Sequence, residues 1–272
     1  MQGQCAVGIA RSRGRLIVLT MKWRLIVDAP HASPEAAVAV DEALLTHVAQ
    51  QPALRLWVNA PCVVLGRLEA HLAGLSQALD AFARTRVPIV QRTSGGTAIW
   101  HGPGVFNVSV IVPEPMIPPG VHQTFEALGK GMIRGLGRLG LEARFGRVPG
   151  TYCDGPHNLV IGGKKVAGLA QVRRKRGALV HASVLVSADL QAMHERLEEF
   201  YAAAGQPHTF NRAGVTTLED LGHRAIGFDE FVHALSSGYQ PEGDRLRQDH
   251  LSADEARWLR EHQESFLLSK PA

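Results

Sequence analysis

A cysteine in a polar loop and a lysine at the start of the next strand are the residues of this sequence best suited to nucleophilic chemistry. Cys153 lies in the segment 150–156, Gly-Thr-Tyr-Cys-Asp-Gly-Pro, whereas Cys62 lies in an apolar run, where cysteines are usually inert. Only a thiolate attacks, and a nearby cation favours that form of a thiol. Lys165 could supply the cation, so we predict that Cys153 is a nucleophile assisted by Lys165. The alternative is an inert cysteine beside a solvated turn that carries Lys164 and Lys165.

A glycine-rich loop, 91–98, joins two predicted strands and could hold a ligand against the main chain. Paired glycines let the backbone approach a ligand more closely than larger residues would permit. Arg92 adds fixed positive charge at the edge of the loop, and His101 could be a polar anchor beyond its far end. The candidate binding residues of this region are Arg92, Ser94, Gly95, Gly96, Thr97 and His101. The alternative is a tight turn followed by a structural histidine.

The strand that begins at Lys165 has one face of small residues, which suits a slot for a thin aliphatic chain. Strict alternation along a strand places Lys165 with Ala167 and Leu169 on one face, and Gly168 with Ala170 on the other. Because Gly168 and Ala170 leave space on their face, we predict that they line an acyl chain.

The charge of the chain favours an acidic partner. The formal net charge is +4 and the pI is about 9.2. The run 173–176, Arg-Arg-Lys-Arg, falls at a predicted hairpin turn, where its cations could steer an acidic carrier protein, contact phosphates or form only a solvated tip. Nucleic acid is not expected as a partner, because aromatic residues make up only 6% of the chain and none lies near this turn.

Cysteine usage and hydropathy exclude several classes of protein. Cys5, Cys62 and Cys153 lie far apart and show no zinc-ligand spacing, so we predict neither a disulfide framework nor a metal site. A reducing, cytoplasmic location fits this pattern. No run approaches the roughly 18 apolar residues of a membrane helix, so we expect neither an integral membrane protein nor a membrane partner.

The first twenty residues imitate a signal peptide, with arginines at positions 11, 13 and 15 ahead of the apolar run 16–19. This run is too short for a signal peptide, and no small-residue cleavage site follows it. We therefore predict a disordered extension over 1–20 and one folded domain over 21–272. The last part of that domain, from about 215 to 272, is predicted to be helical.

Strands come first and helices last in the predicted order of elements. Ser33 as N-cap and Pro34 at the first helical position predict a helix start. The segments 158–161, 165–173 and 178–186 predict three antiparallel strands joined by turns, which form a meander. Together these elements predict an α+β fold, with a mixed or antiparallel sheet flanked by helices and a small helical C-terminal portion.

Five segments of the chain resemble the lipoate-protein ligase and octanoyltransferase superfamily, which shares its catalytic fold with the biotin-protein ligases. In chain order they are the helix with Asp41-Glu42, the strand 63–67 ending in Gly-Arg, the loop 92–101, the Lys-Val-x-Gly-x-Ala-Gln strand 165–171, and the strand 181–185 that begins with His. The resemblance implies a catalytic domain of the biotin- and lipoate-protein-ligase type. It also implies that Arg67 and His181 bind the substrate.

Within that superfamily the chain is most similar to the LipM-type octanoyltransferases. The segment 153–156, Cys-Asp-Gly-Pro, looks like their acyl-accepting loop, and Lys165 matches the lysine that activates the cysteine. The resemblance implies an enzyme without a cofactor that takes an octanoyl group from octanoyl acyl carrier protein. The group would be held as a thioester on Cys153 and passed to a lysine of a lipoyl domain or of glycine-cleavage H protein.

Two other functions remain open at this point. An ATP-dependent lipoate-protein ligase would form a lipoyl-adenylate from ATP with Mg²⁺, and Lys165 would grip it while Cys153 would be dispensable. Asn158 stands where such ligases often carry an Asp, which disfavours this alternative. A non-catalytic module that binds acyl groups or nucleic acid on the same fold would bind without turnover.

Overall fold

Two larger sheets and seven α-helices make up the part of the chain that the structure describes, a computed structural model covering residues 9–12, 15–18, 22–28, 33–49, 51–240 and 245–269. The strands are β1 (Ile9–Ser12), β2 (Arg15–Val18), β3 (Lys22–Val27), β4 (Ala53–Val58), β5 (Cys62–Leu65), β6 (Ile89–Gln91), β7 (Ile99–His101), β8 (Val105–Pro113), β9 (Arg144–Gly146), β10 (Asn158–Ile161), β11 (Lys164–Arg173), β12 (Gly177–Leu185), β13 (Arg245–Gln248) and β14 (Leu267–Ser269). The α-helices are α1 (Pro34–Thr46), α2 (Leu75–Ala83), α3 (Val121–Arg138), α4 (Leu190–Ala203), α5 (Leu218–Gly222), α6 (Phe228–Gly238) and α7 (Ala253–His262). None of these helices is both long enough and apolar enough to cross a membrane.

The central sheet has the strand order β13-β3-β4-β8-β12-β11-β10-β9 and confirms the predicted mixed sheet flanked by helices. β13, β3 and β4 are parallel neighbours, and the pairs from β4 to β9 are antiparallel. Parallel neighbours need a crossover, which α1 supplies between β3 and β4. The predicted meander is present as β10, β11 and β12.

The second sheet, β14-β6-β5-β7, holds the glycine-rich loop. β5 lies parallel to β6 and antiparallel to β7, and the loop connects β6 to β7, so both of its ends are fixed in one sheet. α1 packs against β6 of this sheet and against β8 and β12 of the central sheet. The two sheets therefore meet at α1, which places the loop above β11 and β12.

α1 begins where the sequence predicts and is buried along most of its length. Ser33 Oγ accepts a hydrogen bond from Ala36 N at 3.4 Å, and Pro34 occupies the first helical position. The buried side chains are mostly alanine and valine, whose small size lets the helix approach both sheets. Asp41 and Glu42 are its two buried charged residues, and each is only 4% exposed.

Two short strands pair within the N-terminal segment that we predicted to be disordered. β1 and β2 are antiparallel, from Ile9↔Val18 to Ser12↔Arg15. Positions 1–8, 13–14 and 19–20 of this predicted extension lie outside the described residues. The β-branched residues at positions 17 and 18 favour a strand, which accounts for the pairing of this segment.

The C-terminal part contains helices and also adds one strand to each of the two larger sheets. β13 extends the central sheet beside β3, and β14 extends the second sheet beside β6. Arg24 of β3 reinforces the first junction, because it donates to Asp249 Oδ2 at 2.7 Å and to Glu255 Oε1 at 2.6 Å. Leu246 is the lone apolar residue of β13, so the sequence lacks the alternation that predicts a strand.

A fully buried arginine ties α1 to the central sheet. Arg55 of β4 donates to Asp41 Oδ1 at 2.8 Å, to Ala37 O at 2.9 Å and to Asp28 Oδ2 at 2.6 Å. Burial would raise the pKa of Asp41, but Arg55 and His181 hold it below its usual value. The carboxylate therefore stays charged in the interior.

Replacing this arginine by an apolar residue of similar length leaves the carboxylate of Asp41 without its main partner. We expect Arg55→Met to lower the free energy of unfolding by about 3–5 kcal/mol, as is typical when one member of a buried ion pair is removed. Urea denaturation measures the change. The exposed Arg86 provides the control, since Arg86→Met should change the same quantity by less than about 0.5 kcal/mol. Equal unfolding midpoints in the two variants would contradict a supporting role for the pair.

Candidate functional site

A one-residue bulge in β11 decides which way the side chain of Lys165 points. Leu159 of β10 pairs with Ala167, but the next pair is Val160 with Lys165. Val166 is therefore an extra residue on β11, opposite no residue of its own on β10. Such a bulge shifts the side-chain alternation of the strand by one position.

The prediction that Lys165 lies on the face opposite Gly168 and Ala170 is wrong, because it assumed strict alternation. The bulge brings all three residues onto one face of the sheet. A Cβ added at Gly168 would lie 3.4 Å from Lys165 Nζ, so the ammonium group and the small residues are neighbours. The cation thus lies beside the space that we predicted for an acyl chain.

Lys165 is fully buried, and main-chain carbonyl groups hold its ammonium group. Nζ donates to Tyr152 O and, at 3.1 Å, to Cys153 O. It also lies 3.7 Å from the centroid of the Tyr152 ring, which is a cation–π contact. Burial lowers the pKa of Lys165 to about 8, although negative charge at Cys153 and Asp154 opposes this effect. Lys165 therefore exchanges its proton much closer to neutral pH than an exposed lysine does.

Cys153 adopts a left-handed backbone conformation, with φ at 46°, which residues other than glycine rarely adopt. Its N–H donates to Thr97 Oγ1 at 3.0 Å, and its carbonyl accepts from Lys165 Nζ and, at 2.6 Å, from Asn158 Nδ2. The thiol lies beside Gly96, where an added Cβ would come within 3.0 Å of Sγ. Strained conformations held in place by their surroundings are typical of active sites.

Arg92 is buried inside the glycine-rich loop and holds its shape. The guanidinium donates to the carbonyls of Gly95 and Thr97, both at 2.9 Å, to Val64 O at 3.0 Å and to Ser94 Oγ at 3.0 Å. Burial lowers the pKa of Arg92. We predicted that this charge faces a substrate, whereas the structure uses most of its donors within the loop.

Close packing explains the glycines of this region. A Cβ added at Gly66 would lie 1.8 Å from the carbonyl oxygen of Gly96, so the two segments meet without room for a side chain. Glu69 joins the same segments, because its carboxylate accepts from Gly66 N at 3.1 Å, from Ala98 N at 2.6 Å and from the hydroxyl of Tyr201. Burial raises the pKa of Glu69.

His181 connects the loop to the buried carboxylate of α1. Its Nδ1 lies 3.1 Å from Asp41 Oδ2, and its Nε2 lies 2.7 Å from Ser94 Oγ. Ser109 donates to the same carboxylate oxygen at 2.7 Å. Because Ser94 also accepts from Arg92, a continuous chain of hydrogen bonds runs from α1 to the loop.

His101 is a buried, uncharged histidine whose two ring nitrogens are both bonded to polar side chains. Ser183 Oγ donates to Asn107 Oδ1 at 2.7 Å, so it must accept from His101 Nε2 at 2.9 Å. The other ring nitrogen, Nδ1, accepts from Asn59 Nδ2 at 3.2 Å. Burial lowers the pKa of His101 to about 3, which keeps the ring uncharged.

A narrow slot lies between these residues. It measures about 580 Å³ including the solvent at its mouth. Its large or β-branched apolar lining residues, together with one alanine, are Val38, Trp57, Val64, Ile99, Leu169, Leu179 and Ala182. The sequence-predicted residues that line it are Arg92, Thr97, His101, Cys153, Gly168, Ala170 and His181.

The other predicted residues surround the slot without lining it. Ser94 is 1% exposed and is bonded to two residues that line the slot, Arg92 and His181. Gly95 donates from its N–H to Gln171 O at 3.4 Å, which joins the loop to β11. Arg67 contributes its N–H to Ser94 O at 3.1 Å, while its side chain is exposed.

Sequence analysis assigned no role to several residues that shape this site. A buried partner for Asp41 could have been predicted, because a carboxylate in a mostly apolar helix needs one. The contact between Glu69 and Tyr201 could not have been predicted from the sequence, because the two residues are 132 positions apart. Asn158 fixes both Cys153 and β11, since its Oδ1 accepts from Leu169 N at 3.1 Å.

Comparison with known proteins gives one consistent family. Residues 33–240 match the model described as lipoyl protein ligase A/B catalytic domain. The chain is 34% identical to an octanoyl-[GcvH]:protein N-octanoyltransferase of Kyrpidia tusciae, with 88% of each protein covered. It is 29% identical to an octanoyltransferase LipM of Exiguobacterium sp., with 80% of this chain and 85% of that protein covered.

A solved structure shows the same fold. The putative lipoate protein ligase Ta0514 of T. acidophilum, with bound lipoic acid, has a TM-score of 0.72 and 23% identity, covering 90% of this chain and 96% of the other. The lipoate-protein-ligase type of fold that the sequence predicts is thereby confirmed. Because the family model covers most of the chain and the Kyrpidia tusciae relative is similar over nearly its whole length, the chain belongs to the lipoyl protein ligase A/B catalytic-domain family.

Proposed function

We propose that this protein is an octanoyltransferase in which Cys153 carries the octanoyl group between a donor protein and a lysine of an acceptor protein. The position of Cys153 carries the proposal. It is a free cysteine that lines the slot, and its carbonyl oxygen lies 3.1 Å from the ammonium group of Lys165. Both relatives described above are named as octanoyltransferases, which supports the same class of enzyme.

In the first step the thiolate of Cys153 attacks the carbonyl carbon of a donor thioester. The new C–S bond forms as the bond to the donor sulfur breaks. Cys153 releases its proton to solvent when the thiolate forms, and the departing donor thiolate takes up one proton from solvent. A thioester is exchanged for a thioester, so the step needs neither ATP nor a metal ion. Lys165 stabilises the negative charge that develops at the carbonyl oxygen, which for a well-placed donor contributes about 3 kcal/mol.

The slot supplies selectivity for a thin acyl chain. Gly168 and Ala170 form one side of it, and each CH₂ group that enters adds about 0.8 kcal/mol by leaving water. The apolar residues Val38, Val64 and Ile99 are available to contact the chain.

We propose GcvH as the acceptor and octanoyl acyl carrier protein as the donor. The name of the Kyrpidia tusciae relative shows that GcvH takes part in the octanoyl transfer that this relative catalyses. The basic tip, 173–176, is exposed at the turn between β11 and β12 and would attract acidic partners of this kind. A cytoplasmic location agrees with the free thiols of Cys62 and Cys153, since a nucleophilic thiol needs a reducing compartment.

A second candidate function uses GcvH as the donor. The name of the Kyrpidia tusciae relative begins with octanoyl-[GcvH], so GcvH bears the octanoyl group in the reaction it describes. The lysine of another lipoyl domain would then be the acceptor. Cys153 would attack an amide in this case, and the lysine nitrogen of GcvH would have to take up a proton as it leaves.

The cysteine thioester is tested by intact-mass measurement. We expect octanoyl acyl carrier protein without nucleotide to add one octanoyl group to the wild-type protein and none to Cys153→Ser. Cys62→Ser is the matched control and should still be labelled, because Cys62 is fully buried away from solvent. Labelling of Cys153→Ser that depends on ATP would instead indicate a lipoate-protein ligase. Labelling by octanoyl-GcvH but not by the carrier protein would select the second candidate.

The charge of Lys165 is tested by the pH dependence of acylation. Its pKa is about 8, so the ammonium form disappears as the pH rises through that value. We expect the rate of Cys153 acylation to fall above about pH 8. Lys165→Arg keeps the charge and should remove this fall, while Lys165→Met should be slow at every pH. The same falling limb in Lys165→Arg would show that another group titrates.

The basic tip is tested by charge reversal at Lys175 and Arg176. We expect the double variant Lys175→Glu, Arg176→Glu to raise KM for an acidic carrier about tenfold at low salt with little change in kcat, and the difference to shrink as salt screens the charges. Reversing the exposed Arg84 and Arg86 changes the net charge equally and serves as the control. Equal effects of the two double variants would mean that net charge, and not the tip, attracts the carrier.

A further inference from the structure

A second cavity lies against Cys153 and is separate from the acyl slot. It measures about 850 Å³ including the solvent at its mouth. Its lining includes Thr97, Cys153, Asp154, Tyr201, His208 and Phe210. The acylation step proposed for Cys153 does not use this cavity. We propose that it admits the side chain of the acceptor lysine and that its aromatic rings hold the lysine ammonium group next to the octanoyl thioester; this inference rests on the proposed function.

The two cavities meet at Cys153. Among the described residues, Thr97 and Cys153 line both of them. A hydrogen bond of 3.0 Å from Cys153 N–H to Thr97 Oγ1 joins these two shared lining residues. An octanoyl chain on Cys153 would fill the slot and leave the second cavity as the open side of the thioester. A nucleophile therefore reaches the acyl carbon from the second cavity.

Three rings in the second cavity are suited to a cation. The ring centroids of His208 and Phe210 lie 4.5 Å apart, and each lies 6.1 Å from that of Tyr201. The faces of aromatic rings attract ammonium groups. Lys165 over the ring of Tyr152 shows the same contact elsewhere in this protein.

A carboxylate in the same cavity strengthens the preference for positive charge. Asp154 follows Cys153 directly, and its side chain is 31% exposed. It accepts from Gly150 N at 3.1 Å and shares an ion pair of 3.2 Å with the more exposed Arg147. The thioester end of a carrier protein's arm is uncharged, whereas a lysine side chain is cationic. The aromatic rings and the carboxylate of Asp154 therefore favour binding of a lysine in this cavity.

The elements around the cavity hold its rings at different depths. Tyr201 is on α4, where its hydroxyl is bonded to Glu69, and Phe210 is 7% exposed. His208 lies in the connection after α4 and is exposed. A change at His208 can therefore alter the cavity without disturbing the core.

The transfer step balances with residues already described. The ammonium group loses one proton to water as it leaves the rings, and the neutral amine attacks the acyl carbon. The C–N bond forms as the C–Sγ bond of Cys153 breaks. The second proton of the amine passes to the departing sulfur, which restores the thiol.

The test uses octanoyl-Cys153 protein, prepared with octanoyl carrier protein and verified by intact mass, and follows its deacylation. Two small nucleophiles serve as probes: Nα-acetyl-lysine amide, which is cationic at neutral pH, and hydroxylamine, which is not. We expect His208→Ala to slow the reaction of the lysine probe by about two- to thirtyfold, the range that a cation–π contact provides, and to leave the hydroxylamine rate unchanged. Thr209→Ala, an exposed neighbour outside the cavity lining, is the control.

His208→Phe separates the ring from the imidazole. It keeps an aromatic face but cannot exchange a proton, so we expect it to restore the rate of the lysine probe. Failure to restore that rate, or equal slowing of both probes, overturns the cation-binding role of the rings. If no octanoyl adduct forms on Cys153 in the wild-type protein, the proposed function itself fails, which is a different result from an adduct that reacts equally in all variants.

Discussion

The ammonium group of Lys165 is held in the interior by the carbonyl oxygens of Tyr152 and Cys153 and by one aromatic ring. Within the described residues it has no carboxylate in an ion pair, so its positive charge is not cancelled locally. Burial of such a charge is costly, and the lowered pKa reflects that cost. The charge remains available to negative charge that develops on a sulfur or a carbonyl oxygen nearby. The bulge at Val166 makes this possible, because it turns the side chain toward the site.

A buried polar layer positions the loop that faces this charge. Arg55, Asp41 and His181 form a chain of hydrogen bonds between the central sheet, α1 and the glycine-rich loop. Hydrogen bonds inside a protein are stronger than in water because the local dielectric constant is low, so this chain of bonds favours one arrangement of the loop. The loop is thus held by directional bonds from two sheets, which suits a site that must keep a thiol beside a narrow slot.

The sequence predicts the elements of this site better than their mutual orientation. Ser33 and Pro34 mark the start of α1 because helix capping is local, and the three-strand meander follows from alternation and turns. The face of Lys165 could not be predicted, since a bulge depends on how β10 and β11 pair. The edge strands β13 and β14 are short and form through distant contacts. The contact of Glu69 with Tyr201 likewise depends on the folded chain.

The left-handed conformation of Cys153 sets the stability of the fold against the activity that we propose for this residue. Glycine would adopt this backbone geometry without steric penalty, and at such sites the relief is commonly about 1 kcal/mol. If selection acted on thermal stability alone, replacement of Cys153 by glycine would therefore be favoured. Inactive paralogues of this enzyme can be expected to carry glycine here, and attempts to make it more heat-resistant by consensus design should leave this residue fixed.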